Sequence, residues 1–166
     1  MVQVKKILAA VDLSEYSEAV LEHALLQARS LQAELLIANV LNQRDIEAVR
    51  SYVSANQGPS SVDEYIEGQK TYRRQRIKEM VQTLGGDPER TRIVFKVGIP
   101  FQELIALVTE EDIDLVVIGP KGQTNLASVL FGTNAEKVFR HCPVPLLSIR
   151  GNGREDLRSR MLLTHA

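Results

Sequence analysis

The sequence predicts an α/β fold, a mostly parallel sheet with helices on both faces, and three observations predict it. Short continuous apolar runs (Ile7-Leu8-Ala9-Ala10-Val11, Leu35 to Val40, Leu115 to Ile118) lack polar alternation, as expected of strands covered on both sides. Stretches with apolar residues three and four apart separate those runs. Strand, helix and strand follow one another within the first forty residues, a βαβ unit whose two strands are parallel.

The elements follow in order. After Ile7–Val11 the chain turns at Asp12, and Leu13-Ser14-Glu15-Tyr16-Ser17 supplies hydroxyls read as helix N-caps. Val20, Leu21, Ala24, Leu25, Ala28 and Leu31 then mark an amphipathic helix. The polar stretch from Asn42 to Ser61 contains one short helix near Asp45 to Val53 and the turn Gly58-Pro59-Ser60-Ser61. A long helix over Val62 to Leu84 ends at Gly85-Gly86-Asp87-Pro88. Arg92 to Gly98 is a strand that Lys96 assigns to a sheet edge. Pro100 opens a helix buried through Leu104, Ile105, Leu107 and Val108. The run Leu115–Ile118 enters a glycine-containing loop. Thr133-Asn134-Ala135-Glu136, with capping-box spacing, starts a helix that reaches about Arg140. Pro143 and Pro145 break it before a last strand over 146–150.

At 166 residues the chain fits one domain, assigned to 1–150, with a polar, arginine-rich tail over 151–166. Twenty Lys and Arg against 21 Asp and Glu give a net charge of −1, so no general basic field favours nucleic acid or an anionic membrane. The local cluster Lys70, Arg73, Arg74, Arg76 and Lys78 reads as a solvated helix face. No apolar stretch approaches the roughly 20 residues of a membrane span. A single cysteine, Cys142, permits no intrachain disulfide and fits a reducing, cytoplasmic setting. It reads as a small buried hydrophobe.

Open parallel sheets bind ligands beyond the carboxyl ends of their strands, where strand order reverses. That rule selects Ala10–Asp12, Ala38–Val40 and Ile118–Gly119. Glycines follow the last of these: Gly119-Pro120-Lys121-Gly122, nine residues, then Gly132-Thr133. Gly119 leaves room for a ligand against the backbone, and Gly122 permits a turn that aims N–H groups inward. Gly132 and Thr133 stand at a helix start, where free N–H groups and the dipole favour phosphate. On spacing alone, the glycines fit either a phosphate-holding loop or ordinary turn chemistry. Neither a Walker A loop nor a Gly-x-Gly-x-x-Gly after the first strand is present.

Gly119-x2-Gly122-x9-Gly132-Thr133 resembles the ATP-binding signature of universal stress proteins. The resemblance runs from about Lys5 to Arg150. It includes Ile7 to Asp12 with Ser14 and Ser17, Val97-Gly98-Ile99-Pro100 with Glu103, Asp114 to Gly119, and Val138 to Leu147. It implies a five-stranded parallel sheet of order 3-2-1-4-5, a three-layer sandwich similar to the adenine nucleotide alpha-hydrolases. It also implies a homodimer paired through the last strand, 146–150. The implied ligand is ATP, with AMP and ADP as alternatives and Mg or Mn as the accompanying ion. The resemblance further implies, position by position, that Ala10 and Asp12 lie against the adenosine and that Val40 meets adenine through its backbone. Ile118 and Gly119 line the floor, and Gly122, Gly132, Thr133 and Asn134 surround the phosphates. Two residues depart from the family pattern: Pro120 stands where serine is common, removing an N–H, and Asn134 where a small hydrophobe is frequent. Lys121 is either a point charge near the phosphates or an exposed loop lysine.

Other candidates carry less chemistry. His23, His141 and His165 are dispersed, with no metal-ligand spacing. Nothing in the sequence is placed to activate Ser14 or Ser17. Glu110, Glu111, Asp112 and Asp114 fall at the amino end of a strand, opposite the expected site. The leading expectation is a nucleotide-binding regulatory protein with no assigned catalytic residue. A slow ATPase or nucleotidyl-transfer enzyme and a ligand-free dimeric interaction protein are the alternatives.

Overall fold

The computed structural model describes residues 3–55, 61–89, 91–120 and 132–150. Lys121, Gly122, the turn at Gly58-Pro59 and the tail 151–166 lie outside the described residues. The strands are β1 (Lys6–Ala10), β2 (Glu34–Asn42), β3 (Arg92–Gly98), β4 (Leu115–Ile118) and β5 (Leu146–Ser148). The helices are α1 (Ser17–Leu31), α2 (Gln43–Ser54), α3 (Val62–Thr83), α4 (Pro100–Glu110) and α5 (Thr133–His141). All strand pairs are parallel, in the order β3-β2-β1-β4-β5. β3 is an edge strand, as Lys96 predicts, and β5 forms the other edge, ending at Ser148 rather than at residue 150.

The uninterrupted apolar sequence of β1 follows from its central place. Ile7, Leu8 and Ala9 are each 0% exposed, and successive side chains enter opposite cores. Ile7, Ala9 and Val11 join Val20, Leu21 and Ala24 of α1 and Ile77 and Val81 of α3. Leu8 joins Leu104, Leu107 and Val108 of α4 and Val138 of α5. Helices α1 and α3 therefore cover one face of the sheet, and α4 and α5 the other. The long α3 buries only Ile77 and Val81 fully, four residues apart on one face. It stops at Gly85, which takes φ +71°, and Gly86 follows so close to Val81 that an added Cβ would lie 2.6 Å from Cγ1.

Two capping expectations are corrected. Neither Ser14 nor Ser17 caps α1; Tyr16 holds the N-cap position with no side-chain cap bond. Ser17 lies inside the helix, buried, and its hydroxyl donates to Asp12 Oδ1 at 3.3 Å. The capping box at Thr133 also does not form: Gly132 is the N-cap residue of α5, and Glu136 pairs with Arg140 one turn on. Glycine is a favourable N-cap, and the i,i+4 arginine gives the glutamate a partner its own turn does not. Cys142 is half-buried beside the second core. No described helix is long and apolar enough to cross a membrane.

Candidate functional site

Strand order reverses between β1 and β4. β2 and β3 extend the sheet to one side of β1, and β4 and β5 to the other, so the connections splay apart and leave a crevice beyond the carboxyl ends. A cleft of about 300 Å³ opens there, at the lower end of the range for small-molecule sites. Ala10, Asp12, Val40, Ile118, Gly119, Gly132, Thr133 and Asn134 all line it. These are eight of the nine residues singled out from the sequence; the ninth, Gly122, lies outside the described residues. The floor is apolar, built from Ala38, Leu104, Ile118 and Val138, while polar groups rim it.

Asp12 is fixed by its own turn. Its Oδ1 accepts from the Ser14 N–H at 2.9 Å and from the Ser17 hydroxyl. Leu13 between them takes φ +64°, an uncommon conformation for a bulky residue, so the chain reverses sharply just past β1. Tyr16 lines the same wall, and its phenol is held above the ordinary tyrosine range, chiefly by burial and then by the Glu15 charge. It is therefore a neutral hydroxyl at physiological pH.

At the opposite wall α5 begins. The Gly132 N–H donates to the Pro120 carbonyl at 2.9 Å, which ties the helix start to the end of β4. Gly132 has φ −70° and ψ 152°, an ordinary extended conformation, so backbone geometry alone does not require glycine there. The N–H groups of the first helical turn have no intrahelical acceptor, and Thr133 and Asn134 open that turn into the cleft. A positive helix end facing an apolar-floored cavity suits an anion attached to a flat, apolar body.

The cleft is also lined by residues beyond the predicted nine. Asn42 and Asp45 arrive with the end of β2 and the start of α2, where the Asn42 side chain accepts from the Arg44 N–H at 3.1 Å. Arg73, read from sequence as part of a solvated face, instead lines the cleft and donates from Nη1 to Asn39 Oδ1 at 3.1 Å. Asn39 is only 1% exposed, and its Nδ2 donates to the Val11 carbonyl at 2.6 Å. Two signals in the sequence pointed to this arrangement. An asparagine inside the apolar run Leu35–Val40 needs a buried polar partner, and Arg73 lies four residues before Ile77 on the buried stripe of α3.

The acidic cluster before β4 sits at the other edge, as expected. Asp114 Oδ2 accepts from the N–H groups of Lys5 and Lys6 at 2.8 and 2.9 Å, which lowers its pKa. Glu111 pairs with Arg92, and Glu110 with Lys96.

Together these features define a doubly wound α/β protein with a ligand cleft at its topological switch point. The chain belongs to the universal stress protein family, whose family description matches residues 3–150. It is similar to universal stress protein MJ0577 of Methanocaldococcus jannaschii, 27% identical over 157 residues that cover 90% of this chain and 96% of the relative. The solved structure of MJ0577 superposes with a TM-score of 0.70, covering 91% of this chain and 99% of that one. A universal stress protein solved in complex with cAMP shares the fold at a TM-score of 0.61 and 20% identity, over 91% of this chain and 100% of that one. Another, from Archaeoglobus fulgidus in complex with dAMP, does so at 0.55 and 18%, over 90% and 100%.

Proposed function

We propose that this chain binds an adenine nucleotide in the switch-point cleft and acts as a nucleotide-dependent regulatory protein in stress response. ATP is the favoured ligand, with AMP and ADP as alternatives. The observation that carries the reading is the convergence of Ala10, Asp12, Val40, Ile118, Gly119 and the start of α5 on one cleft. The apolar floor suits a base, and the helix start suits phosphate. Family members with cAMP and dAMP bound support an adenine nucleotide as the ligand class.

In this reading Asp12 positions rather than transfers protons, since its Oδ1 is engaged by the turn that follows. Among the described residues no group of three or more His, Cys, Asp or Glu is arranged for a metal ion. Mg or Mn accompanying the nucleotide would be held mainly by phosphate oxygens and water. Residues 1–150 form the nucleotide domain and 151–166 a polar tail of a cytoplasmic protein. The place of β5 at the edge of the sheet supports pairing with a second copy through 146–150.

Calorimetric titration with ATP, ADP, AMP and GTP tests the reading. It predicts saturable binding of the adenine nucleotides, weakened at least about tenfold (roughly 1.4 kcal/mol) when Gly119→Val fills the floor. No saturation by any adenine nucleotide would overturn it.

A further inference from the structure

Among the described residues Arg73 is anchored by amides rather than by a carboxylate. Among the described residues no carboxylate forms an ion pair with it, whereas six other Lys and Arg side chains do. Its hydrogen bonds go to neutral amides instead: Nη1 to Asn39 Oδ1 at 3.1 Å and Nε to Gln69 Oε1 at 3.4 Å. An arginine carries five N–H donors in a planar fork, so among the described residues these two bonds leave three. Asn39 is itself fixed by its bond to Val11, so it holds the fork from a rigid point of the sheet. A charge kept at a cavity wall, preorganised on amides and spared from a carboxylate, is suited to a ligand.

Its position selects which part of the ligand. Arg73 comes from α3, on the α1 side of the sheet, and is tied to β2; α5 comes from the other layer and is tied to the end of β4. β1 lies between β2 and β4, so the two ends of the cleft are two strand spacings apart, about 10 Å. Arg73 therefore stands at the end remote from the helix start that suits phosphate. A nucleoside offers acceptors there, the ring nitrogens and ribose oxygens.

Resting on the nucleotide-binding reading above, we propose that Arg73 is a ligand-contacting residue that grips the nucleoside end of the bound nucleotide, with Asn39 positioning its guanidinium. The cleft then holds its ligand at both ends, with an arginine fork on the nucleoside and backbone donors on the phosphates.

The test compares adenosine, AMP and ATP by calorimetric titration of the full chain and of Arg73→Met. The proposal expects roughly tenfold weaker binding of all three ligands, because the lost contact is common to them. Arg73→Gln, which keeps an N–H donor for Asn39, should show the same uniform loss and serves if Arg73→Met folds poorly. Unchanged affinities in folded variants, with only the melting temperature lowered, would make Arg73 purely structural and overturn the proposal. A loss that grows from adenosine to ATP would also overturn it, by placing the guanidinium on the phosphates. Failure of the wild-type chain to bind any of the three would instead refute nucleotide binding itself, and this proposal with it.

Discussion

The two edges of the sheet use the same side chains to opposite ends. At the amino edge, Asp114 accepts two backbone N–H groups and Glu111 meets Arg92, so these charges are matched by the fold. At the carboxyl edge, Asp12, Asp45, Arg73 and the first turn of α5 face a cavity. Asp12 and Arg73 are fixed there by bonds to hydroxyl, amide and backbone groups rather than by ion pairs with each other. The difference teaches that residue type does not identify a site in this fold. What separates the edges is what the fixed groups stand around: at the carboxyl edge they line a cleft.

The comparison can be broken outright through the strand both edges share. Leu8 of β1 is 0% exposed within the α4 core, and Leu8→Ala should cost about 2–5 kcal/mol in urea unfolding and weaken both edges together. A loss far below that would mean the sheet does not couple them.

Substituting one aspartate at each edge sharpens it. Asp12→Asn should lower ATP affinity roughly tenfold while leaving urea stability within about 1 kcal/mol of wild type. Asp114→Asn should do the reverse, leaving affinity unchanged and lowering stability at neutral pH. The pH dependence carries a sign. The backbone N–H groups of Lys5 and Lys6 lower the folded pKa of Asp114 below its ordinary value. Its stabilisation is therefore complete above the ordinary aspartate range and lost as pH falls through the lowered folded value. The difference between wild type and Asp114→Asn should thus shrink to nothing in acid, and a difference that grows in acid would refute the assignment.

The smallest effect belongs to the exposed pair Lys96–Glu110 at the β3 edge. Lys96→Ala should change stability by less than about 1 kcal/mol in thermal unfolding and leave nucleotide affinity untouched.

Much of this contrast was legible in the sequence. Central strands such as Ile7–Val11 are legible because both faces are covered, and Gly119 and Gly132 are legible through the spacing they share with Gly122 and Thr133 rather than as single glycines. The rest was hidden for local reasons. Ser14, Ser17 and Thr133 are good N-cap residues, yet the turn around Asp12 recruits the first two and Gly132 takes the third's place. α3 has a weak apolar stripe, with Ile77 and Val81 its only fully buried residues. Composition therefore assigned all its basic residues to solvent, although Arg73 continues that stripe toward the cleft and Arg74 lies over the Phe95 ring. The polar sequence of α2 predicts a short helix and carries no signal that Asn42 and Asp45 meet the cleft.

The most direct test of the central claim is an ATP titration followed by backbone amide resonances of the labelled chain. The account predicts saturable shifts centred on Val11 to Ser14, Val40 to Asn42 and Gly132 to Ala135, with the amides of Lys5, Lys6 and Asp114 unmoved. No saturable shift at millimolar ATP, or shifts centred on the amino edge, would contradict it.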